Sequence, residues 1–234
     1  MYHIPLASAE TQMPAEQLVG LDYIVSDQKA NLDASVARYV QPLAVAGAKA
    51  TEFAIFGCLS EENKFVQVRE GAGGAELEIP KIRTMHDVAQ GAEMDINRYS
   101  SRIVNKRALL ARVIGLDELP QWNLVASGEM SMVGPRPLLR TCRDSFSRLG
   151  EEGGLPTEEV EEWRELLDIA KPGLFGKSNA MKHRRGFNEY TPTASVKIIK
   201  ADLQYKNRAS LGVDIRTVLF SVGTTLVEGV KSLK

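Results

Sequence analysis

The sequence predicts an α+β fold, a mainly helical single domain with one small β-hairpin, from three observations. Apolar residues recur at helical spacing near the N-terminus and again at the C-terminus. Two β-prone segments are joined by the glycine-rich run EGAGG. A chain of 234 residues also lies near the upper end of what one hydrophobic core holds. We therefore expect one domain with appendages.

The first predicted element is a helical segment over residues 18–48. Its apolar positions at helical spacing are Leu21, Ile24, Val25, Leu32, Val36, Val40 and Leu43. Pro42 predicts a break or kink, because proline removes a backbone donor and clashes with the preceding turn. We expect residues 1–17 to form a flexible lead-in, residues 18–57 a helical hairpin, and residues 58–234 the main domain.

The β-hairpin is predicted over residues 64–83. Residues 64–69 are β-prone, and residues 75–83 alternate leucine and isoleucine with polar side chains. Pro80 favours an edge position, since proline cannot donate a ladder hydrogen bond. Residues 95–114 then carry enough apolar positions for a helix over part of their length.

The C-terminal half is predicted to be helical around one irregular loop. A helix starts at Pro156-Thr157 and carries acidic residues in its first turn, where they complement the helix dipole. Residues 177–193 are polar and predicted to be irregular, and a helix is predicted to resume near Ala194. Asp214 is predicted to cap a last helix, whose apolar stripe is Ile215, Val218, Leu219, Val222, Leu226 and Val230. Such a stripe packs in a core, self-associates or lies on a membrane, and the sequence leaves these readings open.

The composition narrows the classes of partner. Lys and Arg total 29 against 30 for Asp and Glu, so no strong field draws the chain toward nucleic acid and any anion site must be local. No run of about 18 apolar residues exists, so we expect no conventional transmembrane helix. The N-terminus also lacks the basic and apolar regions of a secretory signal.

The carboxylate pair Asp117-Glu118 opens the segment 116–136, LDELPQWNLVASGEMSMVGPR. Taken alone, such a pair is usually a solvated surface feature. Paired acids can also bind a divalent metal. Adjacent residues on a helix point in different directions, so two neighbouring carboxylates would divide the labour rather than form one clamp.

The whole segment resembles the signature of the bacterial sugar transferase family, the polyprenyl-phosphate phosphoglycosyl transferases of the monotopic type. LDELPQWNL and GEMSMVGPRP carry the resemblance, which covers the chain from about residue 65 onward. Further positions match in the same order: Gln67, Arg69, Gly71, Lys81-Ile82-Arg83-Thr84-Met85, Arg112, Pro172-Gly173-Leu174, Gly176, Asp202, Tyr205, Ser210-Leu211 and Asp214.

The resemblance implies an enzyme with a covalent mechanism. In this family the Asp of the pair attacks the β-phosphate of a UDP-sugar, UMP leaves, and the phosphosugar passes to a polyprenyl phosphate. This is the first step of surface polysaccharide or glycoconjugate assembly. Asp117 takes the role of nucleophile and Glu118 that of Mg²⁺ ligand, on a catalytic helix beside the hairpin. Residues 58–234 are then the sugar transferase catalytic domain.

Several cations should converge on the phosphates, because phosphoryl transfer depends on positioning and charge stabilisation. Arginine binds phosphate oxygens in pairs, and two prolines restrict the backbone around Arg136. The candidates for binding phosphate or nucleotide are Lys81, Arg83, Arg112, Arg136, Arg184 and Arg185. For the last two, a solvated basic loop is an equal alternative.

The N-terminal segment departs from the family pattern. Family members carry a hydrophobic helix that enters the bilayer, bends at a proline and returns to the same face. Here the charged residues make the segment too polar for deep insertion; they are Asp27, Lys29, Asp33, Arg38 and Lys49. We expect weak, peripheral contact with the cytoplasmic face of the inner membrane, or a cytosolic protein. A homodimer stays open, as does a non-catalytic soluble relative that binds a nucleotide sugar or has a regulatory role.

Overall fold

The computed structural model describes residues 15–86, 102–182 and 190–232, and it confirms a mainly helical α+β domain. The helices are α1 (Ala15–Val25), α2 (Asp27–Phe56), α3 (Lys106–Val113), α4 (Trp122–Ser127), α5 (Arg140–Glu152), α6 (Thr157–Ile169), α7 (Lys177–Lys182), α8 (Pro192–Arg208) and α9 (Leu211–Ser232). The strands are β1 (Lys64–Glu70), β2 (Glu76–Ile82), β3 (Ser131–Val133) and β4 (Gly173–Phe175). A 3-10 helix spans Leu116–Gln121.

The N-terminal segment is helix, break and helix, but the break lies at Ser26 rather than at Pro42. The Ser26 hydroxyl accepts a hydrogen bond from the Lys29 backbone N–H at 3.1 Å and so caps α2. The helix then continues through Pro42 and ends at Gly57, which adopts a positive φ of 76°. A good cap at Ser26 thus sets the boundary, and tertiary packing keeps the proline inside a helix.

The hairpin is confirmed. β1 and β2 pair antiparallel, from Lys64 opposite Ile82 to Glu70 opposite Glu76. Leu77 and Ile79 point inward and form one core cluster with Ala37 of α2 and with Val125 and Met130. The hairpin is therefore fixed between the long N-terminal helix and the segment that follows Asp117.

A second core lies between α5, α6 and α8, and it is built on large apolar side chains. Its buried members are Leu138, Cys142, Phe146, Leu155, Val160, Trp163, Ile198, Ile199 and Leu203. The predicted helices that start near Thr157 and Ala194 are both confirmed, as is a helix within 95–114. The short helix α7 corrects the irregular loop expected over 177–193, of which residues 183–189 lie outside the described part.

A short parallel pairing of β3 with β4 was not predicted, and neither was helix α5. Gly134 and Gly173 meet where these strands continue into loops, and a Cβ added at Gly173 would lie 2.0 Å from the Gly134 backbone nitrogen. The Gly173 N–H also donates to the Pro135 carbonyl at 2.8 Å. Only glycine fits this approach, which fixes the loop that carries Arg136.

Asp214 does not cap α9; it lies inside that helix in a buried ionic network. Lys29 Nζ is 2.6 Å from Asp214 Oδ2 and 3.1 Å from Asp33 Oδ2. The Tyr205 hydroxyl donates to Asp214 Oδ1 at 2.8 Å, and the Ser131 hydroxyl donates to Asp33 Oδ2 at 2.5 Å. The network joins α2 to α8, α9 and β3. Two of the charges that make the N-terminal segment polar are therefore turned into the protein.

The apolar stripe of α9 is largely exposed, so it does not serve as core within the described part of the chain. The exposed members of the stripe are Ile215, Leu219, Val222, Leu226 and Val230, whereas Val218 is half-buried against Tyr205 and its neighbours. Among the described residues, every helix is too short or too polar to span a bilayer.

Candidate active site

The 3-10 helix places Glu118 at a polar cavity. Gly115 precedes this helix with a φ of 75°, a conformation that favours glycine. Side chains three apart eclipse in a 3-10 helix, so Glu118 and Gln121 share one face. That face lines a polar cavity that is open to solvent. Its lining residues are Arg69, Ile79, Lys81, Glu118, Gln121, Arg136, Pro137, Gly173, Leu174 and Asn179.

Lys81 and Glu118 face each other across the cavity. Lys81 Nζ donates to Glu118 Oε1 at 2.9 Å, and both side chains are about four-fifths buried. The alternation of β2 turns Lys81 toward the 3-10 helix, while its neighbour Ile82 enters the core. The predicted metal ligand thus lies beside a predicted phosphate ligand.

Asp117 points to a different partner. Its carboxylate is buried, with Oδ2 at 3.9 Å from Arg112 Nη1 on α3. Arg112 Nη1 also donates to the Thr84 hydroxyl at 3.4 Å. Asp117 and Arg112 are not among the residues that line the cavity described above. The two carboxylates therefore have separate surroundings, Glu118 in the cavity and Asp117 against α3.

The remaining predicted cations differ in position. Arg136 lines the cavity from the loop fixed by the two glycines. Arg83 is absent from this lining, and one of its nitrogens, Nη2, donates weakly to the Lys64 carbonyl at 3.5 Å. Arg184 and Arg185 lie outside the described residues. The structure therefore brings Lys81 and Arg136 together, and it places Arg112 next to Asp117.

A buried carboxyl supports the far wall of the cavity. Asp202 accepts hydrogen bonds from Ser178 Oγ at 2.7 Å and from Trp163 Nε1 at 3.0 Å. Burial raises the pKa of Asp202 to about 6, and these two hydrogen bonds and the charge of Arg136 oppose the rise. The next residue after Ser178, Asn179, lines the cavity and donates through Nδ2 to the Gly173 carbonyl at 3.0 Å. Asp202 thereby connects α6 and α8 to the cavity wall.

Three polar lining residues were not among the predicted site residues: Arg69, Gln121 and Asn179. Arg69 and Gln121 stand inside the motifs Gln-x-Arg-x-Gly and Leu-Pro-Gln, so the sequence offered a signal for them. Asn179 lies in the stretch predicted to be irregular, and no pattern singled it out. Within the described part of the chain, no group of three or more His, Cys, Asp or Glu residues is placed to hold a metal ion.

The sequence profile of the bacterial sugar transferase family matches residues 29–228. The chain belongs to this family. It is 32% identical over 164 residues to the UDP-glucose:undecaprenyl-phosphate glucose-1-phosphate transferase of Caulobacter vibrioides. This match covers 69% of this chain and 56% of that protein. It is 32% identical over 169 residues to the exopolysaccharide production protein PSS of Rhizobium leguminosarum bv. phaseoli, covering 70% and 78%.

A third bacterial sugar transferase relative is the UDP-N-acetylgalactosamine-undecaprenyl-phosphate N-acetylgalactosaminephosphotransferase of Aeromonas hydrophila. It is 28% identical over 162 residues, covering 69% of this chain and 35% of that protein. The match therefore spans little more than half of the Caulobacter protein and about a third of the Aeromonas protein. The matched region includes both carboxylates of the Asp117-Glu118 pair and Arg136.

Proposed function

We propose that this bacterial sugar transferase moves a sugar phosphate from a UDP-sugar to polyprenyl phosphate, the first step of surface polysaccharide or glycoconjugate assembly. The observation that carries the proposal is the Asp117-Glu118 pair on a short rigid helix, with Lys81 and Arg136 facing Glu118 in one cavity. The names of the Caulobacter and Aeromonas relatives support this class of donor and acceptor.

The proposed reaction has two displacements at one phosphorus atom. A carboxylate oxygen of Asp117 attacks the β-phosphorus, the bond to the bridging oxygen breaks, and UMP leaves with that electron pair. Asp117 then carries the sugar phosphate as an acyl phosphate. A phosphate oxygen of polyprenyl phosphate attacks the same phosphorus, which releases the carboxylate and yields the polyprenyl diphosphate sugar.

The cations around the pair suit this chemistry. Arg69, Lys81 and Arg136 place three positive charges on the cavity lining against the single carboxylate of Glu118, which favours a diphosphate. Arg112 lies beside Asp117 and orients its carboxylate. Because Asp117 is only 3% exposed, donor binding has to open a path to it.

We propose Glu118 as a ligand of Mg²⁺. Magnesium is commonly held by one or two carboxylates together with substrate phosphates and waters, so a site without a third carboxylate fits this ion. Lys81 then exchanges Glu118 for the phosphate oxygens. When bound, the ion offsets the charge of the diphosphate and of the leaving group.

We propose that α9 holds the protein against the cytoplasmic face of the inner membrane, peripherally, where the acceptor lies. The support is its exposed apolar stripe, flanked by the exposed cations Arg216 and Lys231, which anionic lipid attracts. Gly229 of α9 packs on Ile114, directly before the 3-10 helix of Asp117. Flotation with anionic and with neutral vesicles tests this, and a concentration-dependent dimer without flotation assigns the stripe to a homodimer instead.

The experiment that tests the transferase is intact-protein mass after incubation with Mg²⁺ and a panel of UDP-sugars, without acceptor, beside an assay for UMP. Wild type should gain one sugar phosphate and release UMP, and Asp117→Asn should do neither while it keeps its melting temperature. An adduct on Asp117→Asn would remove Asp117 from the role of nucleophile. Wild type without adduct or UMP for every donor would favour the non-catalytic, nucleotide-sugar-binding or regulatory relative.

A further inference from the structure

We propose that Gln121 binds hydroxyl groups of the donor's sugar and thereby helps to select that sugar. The inference rests on the proposed function, because it names a specificity residue of the same cavity. It differs from the catalytic proposal in that it assigns no chemistry to Gln121, only recognition of the group that is transferred.

Gln121 combines burial with an unused hydrogen-bonding group. Its residue is 4% exposed, yet it lines the cavity next to Glu118, Lys81 and Arg136. None of the hydrogen bonds formed among the described residues involves its side chain. The amide keeps contact with the solvent of the cavity and forms no hydrogen bond to the described residues, so its donor and its acceptor are available to a ligand. A ligand in the cavity supplies the missing partner.

The 3-10 geometry favours a contact of this amide with the sugar over one with the uracil. Gln121 stands one turn after Glu118 on the same face, a rise of about 6 Å at roughly 2 Å per residue. In a UDP-sugar, the sugar is bonded directly to the β-phosphate that Glu118 and its neighbours are proposed to hold. The uracil is separated from that phosphate by the α-phosphate and the ribose.

The chemistry of an amide also suits a sugar better than a phosphate. The phosphate oxygens only accept hydrogen bonds, and Arg69, Lys81 and Arg136 already offer charged donors to them. Gln121 offers a donor and an acceptor without charge, which matches a hydroxyl group, itself donor and acceptor. A site that hydrogen-bonds a hydroxyl discriminates strongly against an analogue that lacks it or turns it away.

The test compares Gln121→Met with the unchanged Gln121, both in the full chain carrying Asp117→Asn so that no sugar phosphate is transferred to the protein. Each is titrated calorimetrically with Mg²⁺ and either UDP or a panel of UDP-sugars that differ at single hydroxyls. Methionine keeps the length of the side chain but removes the amide. We expect affinity for the preferred UDP-sugar to fall at least tenfold, affinity for UDP to stay within twofold, and discrimination among the sugars to shrink. Gln41→Met, at an amide that bonds Asn123 away from the cavity, is the matched control.

Each other outcome overturns the inference in its own way. An equal loss of UDP and UDP-sugar affinity would make Gln121 a nucleotide contact, and unchanged affinities would remove it from recognition. A large fall in melting temperature would make it structural. If the reference protein with Asp117→Asn alone binds no UDP-sugar and wild type forms no adduct, the proposed function itself fails, and both results are known before Gln121→Met is compared.

Discussion

Among the described residues, two clusters of charged side chains differ in their balance of charge, a buried ionic network and the lining of the cavity. In the buried network, Lys29 is held between Asp33 and Asp214. The Ser131 hydroxyl donates to the same Asp33 oxygen, and the Tyr205 hydroxyl donates to the other oxygen of Asp214. In the cavity, the lining cations Arg69, Lys81 and Arg136 outnumber Glu118, the carboxylate there. The buried network joins helices and strands of the fold, whereas the cavity lining, with its surplus of positive charge, is suited to an anionic ligand.

The largest effect on stability is expected from removing the cation of the buried ionic network. Lys29→Met leaves the carboxylates of Asp33 and Asp214 buried without their cation, which costs about 3–5 kcal/mol of unfolding free energy. For a chain of this size that corresponds to a melting temperature lowered by roughly 6–20 °C. Thermal denaturation measures it, with exposed Lys49→Met on the same helix as control. Equal melting temperatures for the two variants would show that the network contributes no net stability.

The second effect depends on pH, through Asp202. Burial raises the pKa of this carboxyl from 3.8 to about 6, so the folded state binds its proton more tightly than the unfolded chain. Its contribution to stability is therefore present below pH 3.8 and lost as the pH rises through 6. At about 1.4 kcal/mol per pKa unit the change is about 3 kcal/mol.

Denaturant unfolding at pH 4 and pH 7.5 measures this, because Asp202→Asn does not titrate. Relative to the variant, the free energy of unfolding of wild type should be lower at pH 7.5 than at pH 4. Parallel pH profiles would mean that Asp202 stays ionised when folded, held so by its bonds from Ser178 and Trp163 and by Arg136.

The third effect tests the cations that line the cavity. Arg136→Lys keeps a positive charge on the cavity but removes the planar fork that binds two phosphate oxygens. We expect UMP release from the UDP-sugar to slow by about 100-fold, the scale of one lost charge-stabilising donor. The melting temperature should stay near that of wild type. If UMP release is unchanged and the melting temperature falls, Arg136 stabilises the fold and does not bind the donor phosphates.

Sequence patterns predicted what depends on neighbouring residues. The hairpin, the helix from Thr157 and the segment around Asp117-Glu118 are each encoded by local alternation, capping or a contiguous motif. The family resemblance further placed Lys81 and Arg136, which the structure brings to one cavity. Such features could be read because their causes lie within a few residues.

The features that the sequence did not predict correctly depend on contacts between residues far apart in the chain. Asp214 has the sequence features of a cap, but its position is decided by Lys29, far away in the chain. The pairing of β3 with β4 needs the contact of Gly134 with Gly173, and three-residue strands leave almost no pattern. Arg83 lies outside this cavity, because β2 ends at Ile82 and the alternation that turns Lys81 to the cavity does not extend to it; its role as a phosphate ligand stays a prediction.

The smallest effect concerns a surface pair that resembles neither cluster. Arg143 donates to both oxygens of Asp168, at 2.7 and 2.9 Å, and this bonding holds the pKa of Asp168 below its ordinary value. The Asp168 side chain is half exposed, so water and salt screen the pair and Asp168→Asn should cost only about 0.2–1 kcal/mol.

The contribution of this pair to stability depends on pH in the opposite direction to that of Asp202. Its contribution is present above pH 3.8 and lost as the pH falls through the lowered pKa of Asp168. Denaturant unfolding at neutral pH should show a difference between wild type and Asp168→Asn that shrinks when salt is raised to 1 M. A difference that is large and insensitive to salt would mean that Arg143 and Asp168 stabilise the fold as the buried ionic network does. The exposure of a side chain would then be a poor guide to which charges hold this fold together.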